Sequence, residues 1–195
     1  MMRRASLALP MIALAAVFAG SPAAAELQAE DASLVPLFLQ TCTSSTMNAE
    51  ALLSGVTGSS EWQEVPAPTV DLKALEKVPS TLTTSAFRKP TSVREWKRTV
   101  SGRDVRLVIA QLPAKNVYHN VCALFAPDIK NAMPYFDAFR DGMKAISLSG
   151  KSTDLPHYVE YGGRLADRRR AHADMYSRTQ AMTTPRTMHM AIVFE

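Results

Sequence analysis

Residues 93–112 read VREWKRTV-SG-RDVRLVIAQL. Two runs with strand-like alternation flank Ser101-Gly102, the two-residue signature of a β-hairpin. With that loop as the register, Trp96 faces Leu107 and Arg98 faces Val105. Successive side chains of a strand point to opposite faces. Trp96, Val100, Val105, Leu107 and Ile109 therefore share one face, and Glu95, Lys97, Thr99, Asp104 and Arg106 the other. The pattern predicts a core face and a mostly wet face, as in many antiparallel sheets.

Towards the C-terminus, Pro113-Ala114-Lys115-Asn116 reads as a four-residue turn into a third strand over 117–126. That turn sets Cys122 beside Leu107, Leu124 beside Val105 and His119 opposite Ala110. Asn131 is placed to cap a long helix. Its apolar stripe is Ala132, Tyr135, Phe136, Phe139, Met143 and Ile146, with Asp137, Arg140, Asp141 and Lys144 outside. Residues 157–161 read as a short strand ending at Gly162-Gly163. A helix over 164–182 would align Leu165, Arg169, His172 and Tyr176, a poor stripe. A strand over 173–182 fits better, turning at Thr183-Thr184-Pro185 into a last strand over 187–194.

Towards the N-terminus, Ser33 precedes Leu34, Leu37, Phe38, Thr41 and Cys42, which recur at helical spacing. Pro36 falls in the first turn, where a missing N–H costs little. Thr46 is placed to cap a second short helix, with Gly55 as its stop. Residues 55–68 read as loop, Asp71 as the cap of one turn holding Leu72 and Leu75, and residues 80–87 as extended. Helices, a meander, a long helix and closing strands define the α+β class: a single antiparallel sheet of about five to seven strands, with N-terminal helices and one long helix packed on its apolar face.

The chain begins Met1-Met2-Arg3-Arg4, followed by an apolar run over 7–19 and Ala23-Ala24-Ala25. A charged start, a short apolar stretch and an A-x-A site make up a bacterial secretory signal peptide. The apolar run falls short of the ~20 residues a transmembrane helix needs, and no later stretch reaches that length. Cleavage after Ala25 is expected to leave residues 26–195 as one domain, periplasmic or secreted. Cys42 and Cys122 are the only cysteines. In an oxidising compartment an even count favours pairing. The helical stripe carrying Cys42 must cover the sheet face that carries Cys122, so a Cys42–Cys122 disulfide is expected.

Charge is divided along the chain. Residues 26–80 hold eight acids against Lys73 and Lys77, and residues 81–195 hold 18 bases against 10 acids. The two parts are expected to neutralise each other in part. The run Arg168-Arg169-Arg170, with Arg94, Arg98, Arg103 and Arg106 near the hairpin, is otherwise a candidate contact for an anionic envelope component or an acidic protein. If it is such a site, alanine at Arg168, Arg169 and Arg170 should weaken binding to anionic vesicles or polysaccharide with little loss of stability; the alternative is a solvated loop or strand edge. Nucleic acid is not expected, since the aromatics do not interleave with the basic run as a stacking platform needs.

Strong catalytic signatures are missing: no G-x-S-x-G elbow, no glycine-rich phosphate loop, no H-E-x-x-H. His119, His157, His172 and His189 lie in separate segments, so a hydrolytic site would need one of them brought to a carboxylate or hydroxyl by folding. Met188-His189-Met190 offers ligands suited to Cu(I). On a strand, however, both methionines share a face and His189 points away. The methionines are read as core with Ile192 and Phe194. Tyr158 and Tyr161 could rim a groove or mark the boundary of a strand. No cofactor is called for. The reading is a small exported protein that binds a partner or serves the envelope without catalysis. The alternatives are a small hydrolase built around one histidine, or a binder of anionic ligands or copper.

Overall fold

The computed structural model describes residues 33–43, 49–69, 90–113, 119–129, 131–155, 157–177 and 187–195. The signal peptide, the Thr46 cap, the Asp71 turn, the extended segment 80–87 and the turn at Thr183–Pro185 lie outside them. The elements are α1 (Leu34–Cys42), α2 (Ala49–Thr57), β1 (Gln63–Val65), β2 (Ser92–Val100), β3 (Arg103–Gln111), β4 (Asn120–Pro127), α3 (Met133–Ala145), β5 (Gly150–Leu155), β6 (Tyr158–Arg164), β7 (Arg170–Ser177) and β8 (Thr187–Phe194). All eight strands form one antiparallel sheet in the order β1-β2-β3-β4-β8-β7-β6-β5. Two meanders thus meet at the β4–β8 seam. The class is α+β. Two short strands join the expected set: β1, within a segment read as loop, and β5, ahead of the strand expected at 157–161.

The hairpin holds the expected register, with Trp96 opposite Leu107 and Arg98 opposite Val105. Ser101 and Gly102 take positive φ, 48° and 76°. That is the pair of left-handed residues a type I′ turn requires. The next connection differs from expectation. β3 ends at Gln111 and β4 starts at Asn120, so the link is longer than four residues and the register slips by two. Cys122 faces Ile109, and Leu124 faces Leu107. A two-residue slip keeps every side chain on its face, so Cys122 still reaches the core. His119 falls before the strand, exposed, its N–H donating to the Phe194 carbonyl at 3.0 Å.

That core holds Trp96, Leu107, Cys122, Met190 and Phe194 from the sheet, Phe38 from α1, Leu52 and Val56 from α2, and Phe136 and Phe139 from α3. Phe139 stands 5.9 Å from the Phe38 ring and 6.3 Å from Tyr161. Cys42 and Cys122 form the disulfide with Cα atoms 5.6 Å apart, fixing α1 to the central strand β4. In α3 the outer face carries Arg140–Asp137 and Lys144–Asp141 pairs. Asn131 does bond the helix start, its Oδ1 accepting from the Met133 N–H at 3.1 Å, although Ala132 is the N-cap. Ser33 occupies the N-cap of α1 without a side-chain capping bond.

Two departures position the candidate site. α2 does not stop at Gly55 but runs through it to Thr57. A helix-interior glycine costs about 1 kcal/mol against alanine, and a Cβ built at Gly55 would meet nothing within 4 Å. Secondly, the other sheet face is not wet. Val108, Ala110, Val121, Ala123, Phe125, Ala191 and Val193 form a second buried cluster on it. β4 is a near-continuous apolar run and β8 is interrupted within it only by His189, as suits strands covered on both faces. Glu95, expected at the surface, is fully buried there and accepts hydrogen bonds from the Thr69 hydroxyl at 3.0 Å and from Arg106 at 3.2 Å.

Candidate functional site

The strand over 173–182 exists but is shifted earlier, to β7. Its register with β6 and β8 builds a grid on the second face. One row runs Phe125–His189–Tyr176–Tyr158 across four strands, and the next runs Ala123–Ala191–Asp174–Glu160. His172 lies one row further, opposite Gly162. Two carboxylates therefore sit side by side with a histidine near each. His172 Nδ1 is 2.9 Å from Glu160 Oε1, and His189 Nε2 is 3.8 Å from Asp174 Oδ1.

Glu160, Asp174 and His189 are all buried. Burial, and then the neighbouring Glu160 charge, push the Asp174 carboxyl up to about 8. Burial alone pushes the His189 imidazole down to about 3. At neutral pH Asp174 is a neutral acid and His189 a neutral base, because a charged form would give up its hydration. Among the described residues, Asp174 Oδ1 and His189 Nε2 have no hydrogen-bond partner, and 3.8 Å is too long for one. A histidine does meet a carboxylate here, at His172–Glu160. Among the described residues, the grid holds no serine or cysteine, and no three potential ligands are grouped to hold a metal ion.

Gly162 is part of this arrangement. A Cβ there would lie 2.7 Å from His172 Nε2. Gly162→Ala is expected to force the imidazole off its position over the strand and to cost about 1–3 kcal/mol, the range for overpacking. Denaturant midpoints of the two proteins would measure it, and a difference below about 0.5 kcal/mol would mean the ring moves freely.

Five of the candidate anion-binding arginines, Arg94, Arg98, Arg168, Arg169 and Arg170, fall into two groups. Arg94 and Arg98 lie on β2, whereas Arg168, Arg169 and Arg170 sit at the β6–β7 turn. β2 and β7 are four strand steps apart, about 19 Å at ~4.8 Å per step, so the groups do not converge. Arg94 makes a bidentate pair with Glu64 at 2.8 and 2.9 Å, and its guanidinium lies 5.0 Å from the Trp96 ring centre. Arg98 pairs with Glu61 at 2.8 Å. These are ion pairs between the acidic and basic parts of the chain. Arg169 binds Asp167 and lies 5.5 Å from the Phe194 ring centre; Arg170 binds Glu195. Arg168 supplies the turn itself, at φ 71°. The run, at a turn and strand start as a solvated loop or strand edge would be, also holds the last strand through Arg169 and Arg170, so alanine at Arg169 should cost some stability.

Met188 and Met190 are fully buried in the main core while His189 lies on the opposite face, so the triplet does not converge on one ion. Tyr158 and Tyr161 are both buried, on opposite faces. Neither rims a groove. His157 is exposed, edge-on to Tyr176 at 5.9 Å.

A cleft of about 260 Å³ opens elsewhere, between α1, α2 and the β1–β2 edge. Leu37, Leu52, Val56 and Trp62 line it, each less than a tenth exposed. The Arg98–Glu61 pair also lines it, with the guanidinium 5.9 Å from the Trp62 ring centre. Sequence reasoning missed this cleft because Gly55 reads as a helix stop and residues 55–68 as featureless loop. The signal was Trp62 beside Glu61, an aromatic and an acid in that loop.

Comparison with protein-family models, with characterised proteins and with solved structures finds no match. The fold defines the class: an antiparallel α+β protein with one interior disulfide. No helix among the described residues is long and apolar enough to cross a membrane.

Proposed function

We propose that this is a small exported protein of the bacterial envelope, periplasmic or secreted, that works by binding rather than by catalysis. The observation that carries this reading is the buried Cys42–Cys122 disulfide. Such bridges persist in oxidising compartments and are rare in the reducing cytosol. The N-terminal layout agrees with it, since a basic start, a short apolar run and an A-x-A site form an export signal. The bridge also serves binding. It fixes α1, one wall of the cleft, to the central strand, and a preorganised wall loses less entropy on engaging a ligand.

The test is fractionation followed by intact-mass analysis. The exported form should begin at Glu26 and carry the mass of residues 26–195 less two hydrogens for the disulfide. A cytosolic protein retaining residues 1–25, or one with two labelled thiols under denaturant, would overturn the reading.

The His172–Glu160 contact at 2.9 Å favours a second reading, acid–base chemistry at the buried grid. A panel of ester and amide substrates, with Glu160→Gln as the control, separates the two. An anionic partner at the arginines is a third. It would be tested by binding to anionic vesicles and polysaccharide at low salt, where exposed charges act over more than the ~10 Å of 0.1 M salt.

A further inference from the structure

We propose that the cleft between α1, α2 and the β1–β2 edge binds a small zwitterion with an apolar body, of the kind of a free leucine, phenylalanine or tryptophan. The inference rests on the binding reading above and gives it a site and a ligand class.

Three observations carry it. The first is size. At about 260 Å³ the cleft lies just below the ~300–1,000 Å³ of drug-sized pockets, so it suits a ligand of single-amino-acid dimensions. The second is Gly55. It is a helix-weakening residue in the interior of α2, lining the cleft, with open space where a Cβ would go. Packing does not require a glycine there. What the missing side chain leaves is open space in the wall of the cleft that Leu52 and Val56 also line.

The third is charge. Arg98 and Glu61 line the cleft as an ion pair 2.8 Å apart, their side chains 26% and 60% exposed. An exposed pair of this kind is worth little to the fold, so it can open. A lone carboxylate on Arg98 would displace Glu61 and leave its charge beside the ligand. A zwitterion satisfies both partners, with its carboxylate on the guanidinium and its ammonium on Glu61. The Trp62 ring beneath Arg98 holds the guanidinium in place and gives the apolar body an aromatic surface.

The test is calorimetric titration of the full exported protein with leucine, phenylalanine and tryptophan, alongside N-acetylphenylalanine and phenethylamine. Those two probes lack the ammonium and the carboxylate respectively. At least one amino acid should bind with Kd between about 1 μM and 1 mM, and each single-charge probe at least tenfold more weakly. Gly55→Leu, which fills the cleft, should abolish binding without lowering the denaturant midpoint, since leucine is a better helix former than glycine. Glu61→Gln, a change on an exposed side chain that cannot unfold the core, should weaken the amino acid about tenfold and leave N-acetylphenylalanine unchanged or tighter. No heat with any of the three amino acids at about 10 mM would overturn the proposal, well beyond the 1 mM end of that affinity range. So would equal binding of zwitterion and single-charge probes. Binding that survives both Gly55→Leu and Glu61→Gln would remove the ligand from this cleft while keeping the binding reading. The mass and thiol assays decide export independently of any of these results.

Discussion

Removing the disulfide should cost this protein about 4 kcal/mol, the chain-entropy value for closing a loop of this length. The bridge joins residues 80 apart, so the unfolded chain that carries it has far fewer conformations than one that does not. For a domain of this size, that corresponds to a fall in Tm of roughly 8–16 °C. The double variant Cys42→Ala/Cys122→Ala, compared with the oxidised protein by calorimetry, measures it. Both cysteines are fully buried in the main core, so reductant alone should act slowly on the folded protein and quickly in denaturant. A fall in Tm of under about 2 °C, no more than about 1 kcal/mol on the same scale, would mean that the reduced chain already holds α1 against β4. The entropy argument would then fail.

Stability should be flat between about pH 4.5 and 6.5 and decline above that range, with the decline traced to Asp174. The sign follows from where each state holds its proton. The Asp174 carboxyl ionises near 3.8 when unfolded but only near 8 when buried. Between those values the unfolded chain has released a proton that the folded one keeps, so rising pH favours unfolding. His189 works the other way. Its imidazole takes a proton below 6.5 when unfolded and only near 3 when buried, so falling pH favours unfolding across that interval. From about 3.8 to 6.5 the two slopes cancel. From 6.5 to 8, of these two groups only Asp174 still changes, and about 2 kcal/mol should be lost at 1.36 kcal/mol per unit. Below about 4.5 Glu64 and Glu195, and below about 3.8 Asp167, add to the acid-side loss, since their arginine partners hold their carboxyls low. The alkaline limb is therefore the diagnostic one. Asp174→Asn, close in shape to the protonated acid, should abolish it and raise stability near neutral pH by a few kcal/mol, since it no longer draws a proton from solution on folding. Denaturant unfolding of both proteins at pH 6, 7 and 8.5 tests this. A wild-type protein as stable at 8.5 as at 6 would show that the buried carboxyl finds relief elsewhere.

The hairpin was fully legible because its information is local. Ser101-Gly102 sets the turn, the turn sets the register, and the register sets the faces. The disulfide was legible because two faces with different periods, the helical stripe of Cys42 and the alternation of Cys122, had to meet in one core. The β3–β4 register was not, because turn residues mark where a chain reverses but not how many residues loop out first. The error was harmless because the slip was even. The second face was legible in part. Val121, Ala123 and Phe125 alternate with Cys122, Leu124 and Ala126, a run with no wet side. The cleft was illegible because Gly55 carries the same letter whether it ends a helix or leaves room beside one.

What the sequence determined by itself is whatever short-range pattern dictates: the α+β class, the helix stripes, the hairpin and the pairing of its only two cysteines. Tertiary structure alone decided which carboxylate meets which histidine. Glu160, Asp174, His172 and His189 come from three strands, and their spacing along the chain says nothing of the register that makes them neighbours. It also decided that the arginines stay in two groups, since strand order, set by the β4–β8 seam, places β2 four steps from β7. Chemistry assembled across strands depends on that order, and the order is fixed by burying both faces of the sheet at once rather than by any single segment.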